Sequence, residues 1–310
     1  MISSALRLVA RRLRAGVSIG THFQRQSDML SYRHAFHAGN HADVLKHFVL
    51  LEVLRYSSRK DKPWWYIDTH AGAGCYALTS EQAEKTGEHR EGIGRLWERD
   101  DVPEAFGPYL DAVRQFNPHG GLNFYPGSPA LAMTALREQD RMRLFELHPA
   151  DAELLAQTFA RDADRVVVRK ADGLACLRGL LPPPTRRAVV LIDPSYEVKQ
   201  DYKQVVQVLG DALRRFADGT YLLWYPLLAR PEARGLPDAL RELGADSWLD
   251  VRLAVRSPGR AGAGGMFGSG LFIINPPWVL PQVLEGCMPW LVSALAEDDN
   301  AGFDVEHHIP

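Results

Sequence analysis

The chain alternates two kinds of block. Compact apolar runs, bounded by Gly, Pro and charged residues, are separated by stretches whose apolar positions recur at helical spacing. Trp64-Trp65-Tyr66-Ile67-Asp68, Arg143–Leu147, Arg165–Val168, Ala188–Ile192 and Thr220–Trp224 read as strands, and Ala188–Ile192 is the cleanest buried one. Asp151–Phe159 and Gly173–Leu180 read as helices between them, and Pro182-Pro183-Pro184 is a break. Such alternation predicts a parallel, doubly wound sheet. Leu249–Val255 and Leu271–Ile274 flank a Gly-rich segment and predict a closing antiparallel pair. Ahead of the first strand, Asn40 is positioned to cap a helix with Asp43 at its third residue. Val44, Leu45, Phe48, Leu51 and Val53–Leu54 give that helix an apolar side, and Lys62-Pro63 ends it. Residues 77–124 read as helical and polar, which sets them apart from the strand-bearing parts 29–76 and 125–310.

Composition narrows the function classes. A net charge of −2 excludes a polybasic binder, so any nucleic-acid contact must use a local patch. Residues 1–28 carry five arginines and one acid, +4, which leaves −6 from Met29 onward. That segment is read as an upstream extension outside the fold rather than a transit peptide. No apolar run approaches the ~18 residues of a membrane span. Cys75, Cys176 and Cys287 are far apart and odd in number, so a disulfide framework and a cysteine zinc site are disfavoured. A cytoplasmic protein is expected.

Three features at predicted strand ends carry candidate chemistry. Gly72-Ala73-Gly74 follows the first strand, where glycines let a backbone approach a ligand. Gly72-x-Gly74-x-x-Ala77 also loosely matches the dinucleotide fingerprint, which keeps a nicotinamide enzyme in contention. Glu146 ends the next strand, where an acid can accept ribose hydroxyls, yet it follows Gly74 by 72 residues instead of the ~20 of a dinucleotide fold. An insertion must therefore lie between the two strands. Asp172 can receive an adenine amino group. Ile192-Asp193-Pro194-Ser195-Tyr196 then follows the cleanest strand and resembles the Asp-Pro-Pro-Tyr motif of methyltransferases acting on the adenine amine. That amine is a poor nucleophile because its lone pair is delocalised into the ring. The Asp193 carboxylate and the Pro194 carbonyl can each accept one N–H and aim the lone pair at a methyl donor, while Tyr196 stacks on the extruded base. Asn275-Pro276-Pro277-Trp278 fits a general form of this motif better. It is rejected because an antiparallel strand before it would end at the opposite edge of the sheet. His37-x-x-x-His41 has helical spacing but no accompanying Glu or Cys, so no metal is expected. Tyr32, Arg33, His34 and Lys46 form a small basic aromatic patch suited to phosphates and an unstacked base.

From Met29-Leu-Ser-Tyr-Arg-His-Ala-Phe-His-Ala-Gly-Asn-His-Ala-Asp-Val-Leu-Lys-His47, the sequence resembles the bacterial 23S rRNA adenine-N6 methyltransferases of the RlmJ type. Asp68–Gly74, Tyr125–Pro129, Glu146–Pro149, Lys170–Gly173 and Trp224–Pro226 continue the resemblance in order. It implies a class I S-adenosylmethionine-dependent methyltransferase, Rossmann-like, with a mostly parallel seven-stranded sheet, an antiparallel last strand and a small inserted helical subdomain. It further implies that His47, His70, Ser128, Glu146, Asp172, Gly173 and Asp193 contact S-adenosylmethionine, with Gly72 in the cofactor turn. By the same resemblance Asp193 is catalytic with Tyr196 beside the base, and Tyr32, His34 and Lys46 act on the RNA. The implied substrate is one adenine of 23S rRNA, adenine 2030 in the family, met by a monomer on naked or partly assembled RNA. Ser195 departs from the family's second proline, while Pro194 retains the carbonyl the chemistry uses. A DNA adenine methyltransferase and an inactive RNA-binding factor are the remaining alternatives.

Overall fold

The computed structural model describes residues 33–261 and 265–310; Tyr32, the opening of the Met29 motif and residues 1–28 lie outside the described residues. The strands are β1 Trp65–Asp68, β2 Cys75–Ala77, β3 Phe124–Pro126, β4 Arg141–Glu146, β5 Val166–Lys170, β6 Ala188–Ile192, β7 Thr220–Leu227, β8 Trp248–Ala254, β9 Gly268–Ile274 and β10 Gly302–His308. Eight of them form one sheet in the order β10-β8-β9-β7-β6-β1-β4-β5. β5, β4, β1, β6 and β7 run parallel, whereas β9 is antiparallel to both β7 and β8. The sheet has one strand more than the seven expected. β10 pairs antiparallel with β8 at the edge, and its residues are mostly exposed. It buries almost no side chains, so no apolar pattern announces it.

Strand alternation divides the core in two. Val189 and Leu191 of β6, with Leu222 of β7, face one cluster, while Val190 and Ile192, with Tyr221 and Leu223, face the other. Helices Gly173–Leu180 and Lys199–Arg215 pack on the second face, and helix His41–Ser57 packs on the first. Asn40 caps that leading helix, its side chain accepting from the Ala42 and Asp43 amides. The sequence suggests one apolar side, but the helix is buried on nearly all sides, including Asp43, Lys46 and His47. The reason lies in residues 77–124. Ile93, Leu96, Phe106, Tyr109, Leu110 and Val113 cover the helix's outer side and share its cluster with Phe48 and Val49. β2 and β3 pair antiparallel at the base of this stretch. No helix among the described residues is long and apolar enough to cross a membrane.

Candidate active site

Strands β1, β4, β5 and β6 end at one edge, and the loops that follow them enclose a cavity of about 300 Å³. Its wall includes His70 and Gly72 after β1, Glu146 at the end of β4, Asp172 and Gly173 after β5, and Asp193, Pro194 and Ser195 after β6. His34, Lys46 and His47 close it from the leading helix and the turn before it, and Ser128 closes it from the segment after β3. Residues far apart in sequence thus meet because parallel strands share one C-terminal edge. The rival Asn275 follows antiparallel β9 at the other edge, and its side-chain amide donates to the carbonyls of Ala217 and Gly219.

The glycine turn and its neighbours are tightly held. Gly72 sits at φ +57°, and a Cβ there would lie 2.1 Å from the Tyr76 hydroxyl. Its amide donates to Glu146 Oε2 at 2.8 Å, and the His148 amide donates to Oε1 at 2.6 Å. Burial raises the Glu146 pKa above the usual carboxylate value. Beneath the turn, fully buried Asp68 accepts from the Tyr66 and Ser128 hydroxyls, both at 2.7 Å, and from the His70 amide. Burial pushes Asp68 up to about 6. Asp172 is exposed and caps helix Gly173–Leu180 through the Ala175 amide.

A buried charge network underlies Asp193. Lys46 Nζ lies 2.6 Å from Asp193 Oδ2 and 2.8 Å from Asp43 Oδ1. Asp43 also accepts from the Gly39 amide and pairs with His34 Nε2 at 2.9 Å. Burial opposes the Lys46 charge, but Asp193 and Asp43 outweigh it and hold its pKa above the ordinary lysine value. Burial likewise opposes the Asp43 charge, which His34, Lys46 and His47 overcome, leaving its pKa well below the carboxylate range. Burial drives His47 down to about 3 and His70 to about 4, so both are neutral near pH 7.

Two expectations need correction. Lys46 was assigned to RNA phosphates, yet it is 4% exposed and its ammonium is committed to two carboxylates. Tyr196 was expected to stack on a base, yet it is 3% exposed. Its φ of +53° turns the ring inward, against Tyr202 at 4.6 Å, and its hydroxyl donates to the Trp224 carbonyl at 2.9 Å. It braces the loop from behind. Of the other RNA candidates, His34 lines the cavity and Arg33 lies 3.3 Å from Asp151, itself on the cavity wall. Sequence reasoning missed Asp43 as a hub. Its spacing of three and four residues to Lys46 and His47 was the available signal.

A family model described as ribosomal RNA large subunit methyltransferase D, RlmJ, matches residues 61–309. The chain is 49% identical over 282 residues to the ribosomal RNA large subunit methyltransferase J of Escherichia coli K12, covering 91% of this chain and 100% of that one. It is 43% identical over 284 residues to the protein of the same name from Haemophilus influenzae, with the same coverages. A crystal structure of a Legionella pneumophila protein, 35% identical, superposes with a TM-score of 0.80 over 88% of this chain and 98% of that chain.

Proposed function

The chain belongs to the ribosomal RNA large subunit methyltransferase J family, and from that premise we propose that it methylates the exocyclic N6 amine of one adenine of 23S rRNA, adenine 2030 in the family. We read it as a cytoplasmic monomer acting on naked or partly assembled RNA. The observation that carries the reading is Asp193 on the cavity wall beside Pro194, with one carboxylate oxygen fixed by Lys46 at 2.6 Å. Among the described residues the other oxygen, Oδ1, takes no hydrogen bond.

The residues present fit S-adenosylmethionine. His47 Nε2 is buried on the cavity wall with no hydrogen-bond partner among the described residues, so it is available to a ligand. Glu146 offers a carboxylate whose oxygens each retain accepting capacity beyond one backbone amide, which suits vicinal ribose hydroxyls. Asp172, exposed at the end of β5, suits an adenine amine. Bound there, the cofactor supplies the electrophilic methyl group. Asp193 Oδ1 and the Pro194 carbonyl would accept the two N–H groups of the target amine and hold its lone pair toward that methyl. Lys46 holds Asp193 Oδ2 at 2.6 Å. No strongly basic residue is needed, because the amine proton becomes acidic once the methyl is transferred.

Radiolabelled methyl transfer to protein-free 23S rRNA tests the proposal. Incorporation at a single adenine is expected. No incorporation overturns it, and equal incorporation into duplex DNA replaces it with the DNA reading.

A further inference from the structure

An enzyme that draws one nucleotide of a large RNA into a cavity needs cations to hold the neighbouring phosphates. The cavity provides few. Glu146, Asp151, Asp172, Asp193, Glu197 and Asp201 all line it, and Lys46 is already neutralised.

Positive charge without an acidic partner among the described residues gathers on one face of the sheet. Ile67 pairs with Arg143, Trp65 with Arg141 and Phe145 with Arg169, so the pleat directs all six side chains to one side of the sheet. Ile67 and Phe145 are buried in the cluster with Leu174 and Leu177 of helix Gly173–Leu180. Trp65, Arg141 and Arg143 are only half-buried, and Arg169 at the sheet edge is exposed. The Arg143 guanidinium lies 4.0 Å from the Trp65 ring centroid, and its Nη1 donates to the Met142 carbonyl at 2.7 Å. Arg141 donates to the carbonyls of Glu138 and Asp140, both at 2.9 Å. Among the described residues none of these three arginines forms an ion pair. Nearby Arg137 and Arg165, by contrast, are matched by Asp140 and Asp162. Burial and the charges of Arg141 and Arg169 lower the Arg143 pKa, so the three repel one another as the chain stands. A bound anion relieves that repulsion. Planar guanidiniums, one of them already stacked on an indole, suit phosphate oxygens.

We propose that Trp65, Arg141, Arg143 and Arg169 form a docking face for the phosphate backbone of the substrate RNA, running from Arg169 near the cavity edge of the sheet back to Trp65 and Arg141 at the strand starts. The proposal rests on the rRNA methyltransferase reading for the identity of its partner. β4 carries both parts: Glu146 on the cavity wall and, three residues earlier on the other face, Arg143. A strand of RNA that presents its base at the cavity can pass over the edge formed by β4 and β5.

The test compares the native chain with Arg141→Ala/Arg143→Ala/Arg169→Ala. Affinity for a 23S rRNA transcript is measured by filter binding across a salt series, and S-adenosylmethionine affinity by calorimetry. Loss of three phosphate contacts should weaken RNA binding about tenfold or more and reduce the slope of log K against log salt by about 2, while cofactor affinity holds. Arg169→Glu makes a second variant at an exposed side chain with no side-chain hydrogen bond among the described residues, and it should weaken binding in the same direction. Arg214→Ala/Arg215→Ala, at the exposed C-terminal end of helix Lys199–Arg215, controls for net charge and should leave affinity near native. Native affinity and slope in the triple variant, or equal weakening in the control pair, overturn the proposal. If the native chain transfers no methyl group yet binds RNA through these arginines, the docking face stands and the activity reading falls.

Discussion

A lysine buried between two carboxylates is stable only while all three charges remain together. Lys46→Met removes the ammonium that Asp43 and Asp193 share, a change that destabilises buried networks by roughly 3–5 kcal/mol. The expected outcome is a lower urea midpoint together with a large fall in methyl-transfer rate; a native midpoint would show that Lys46 carries no such burden. Asp193→Ala removes the proposed acceptor at a side chain that is partly accessible. It should abolish methyl transfer, and because Lys46 keeps its pairing with Asp43 the urea midpoint should fall less than in Lys46→Met; retained transfer would refute the catalytic assignment. Asp193 itself was legible, because a carboxylate followed by proline after a strand is a local pattern. Its pairing with Lys46 was not legible. The two lie 147 positions apart and meet only because the leading helix packs across the end of β6. The inward turn of Tyr196 was hidden for a related reason. A positive φ in a non-glycine residue is imposed by surroundings and leaves no mark in composition.

Among the elements, the β1 loop and helix Gly173–Leu180 meet at a place where no side chain fits. A Cβ on Gly173 would lie 2.2 Å from the Thr69 carbonyl oxygen, a backbone atom that cannot rotate away. Gly173→Ala must therefore push the helix start away from the turn bearing His70 and Gly72. We expect S-adenosylmethionine affinity to fall about tenfold or more, the price of a misplacement near 1 Å, with only a modest loss of stability. Calorimetry checks it, and native affinity would mean the cofactor does not bridge these two elements. Elements of this kind were readable because each buries a distinct side. Gly173–Leu180 and Ala188–Ile192 have the boundaries their apolar pattern predicts. β10 was unreadable because an edge strand made of Gly302-Phe-Asp-Val-Glu-His-His308 is held by its ladder with β8 and by little side-chain burial. The full burial of the leading helix was unreadable as well, since its polar residues face one another inside the protein rather than solvent.

For the whole molecule, acid stability is set by buried groups that titrate in opposite senses. Burial drives His41, His47 and His70 down to about 4, 3 and 4, each from an ordinary 6.5. The unfolded chain therefore takes up protons that these histidines refuse in the native state, and the stability they contribute above pH 6.5 is lost as pH falls toward 4. Asp68 and Asp250 are driven by burial in the other direction, both up to about 6 from 3.8. The native state holds protons on them that the unfolded chain has released, so their contribution is present below pH 3.8 and lost as pH rises toward 6. Between about pH 4.5 and 5.5 the unfolded state thus binds three protons on the histidines against two held natively on the aspartates. The unfolded chain thus takes up the larger share of protons on these five groups, so together they make stability rise with pH. Contributions from other residues are common to the native chain and its variants, so differences in slope isolate individual groups. His41 serves because it is 7% exposed, at the start of a helix where a cation is disfavoured, and outside the cavity wall. His41→Gln should lower the slope by up to one proton's worth, about 1 kcal/mol per pH unit, and Asp250→Asn should raise it. Urea unfolding at pH 4.5, 5.0 and 5.5 measures both slopes. Parallel curves for the native chain and His41→Gln would mean that this imidazole is charged inside the folded protein.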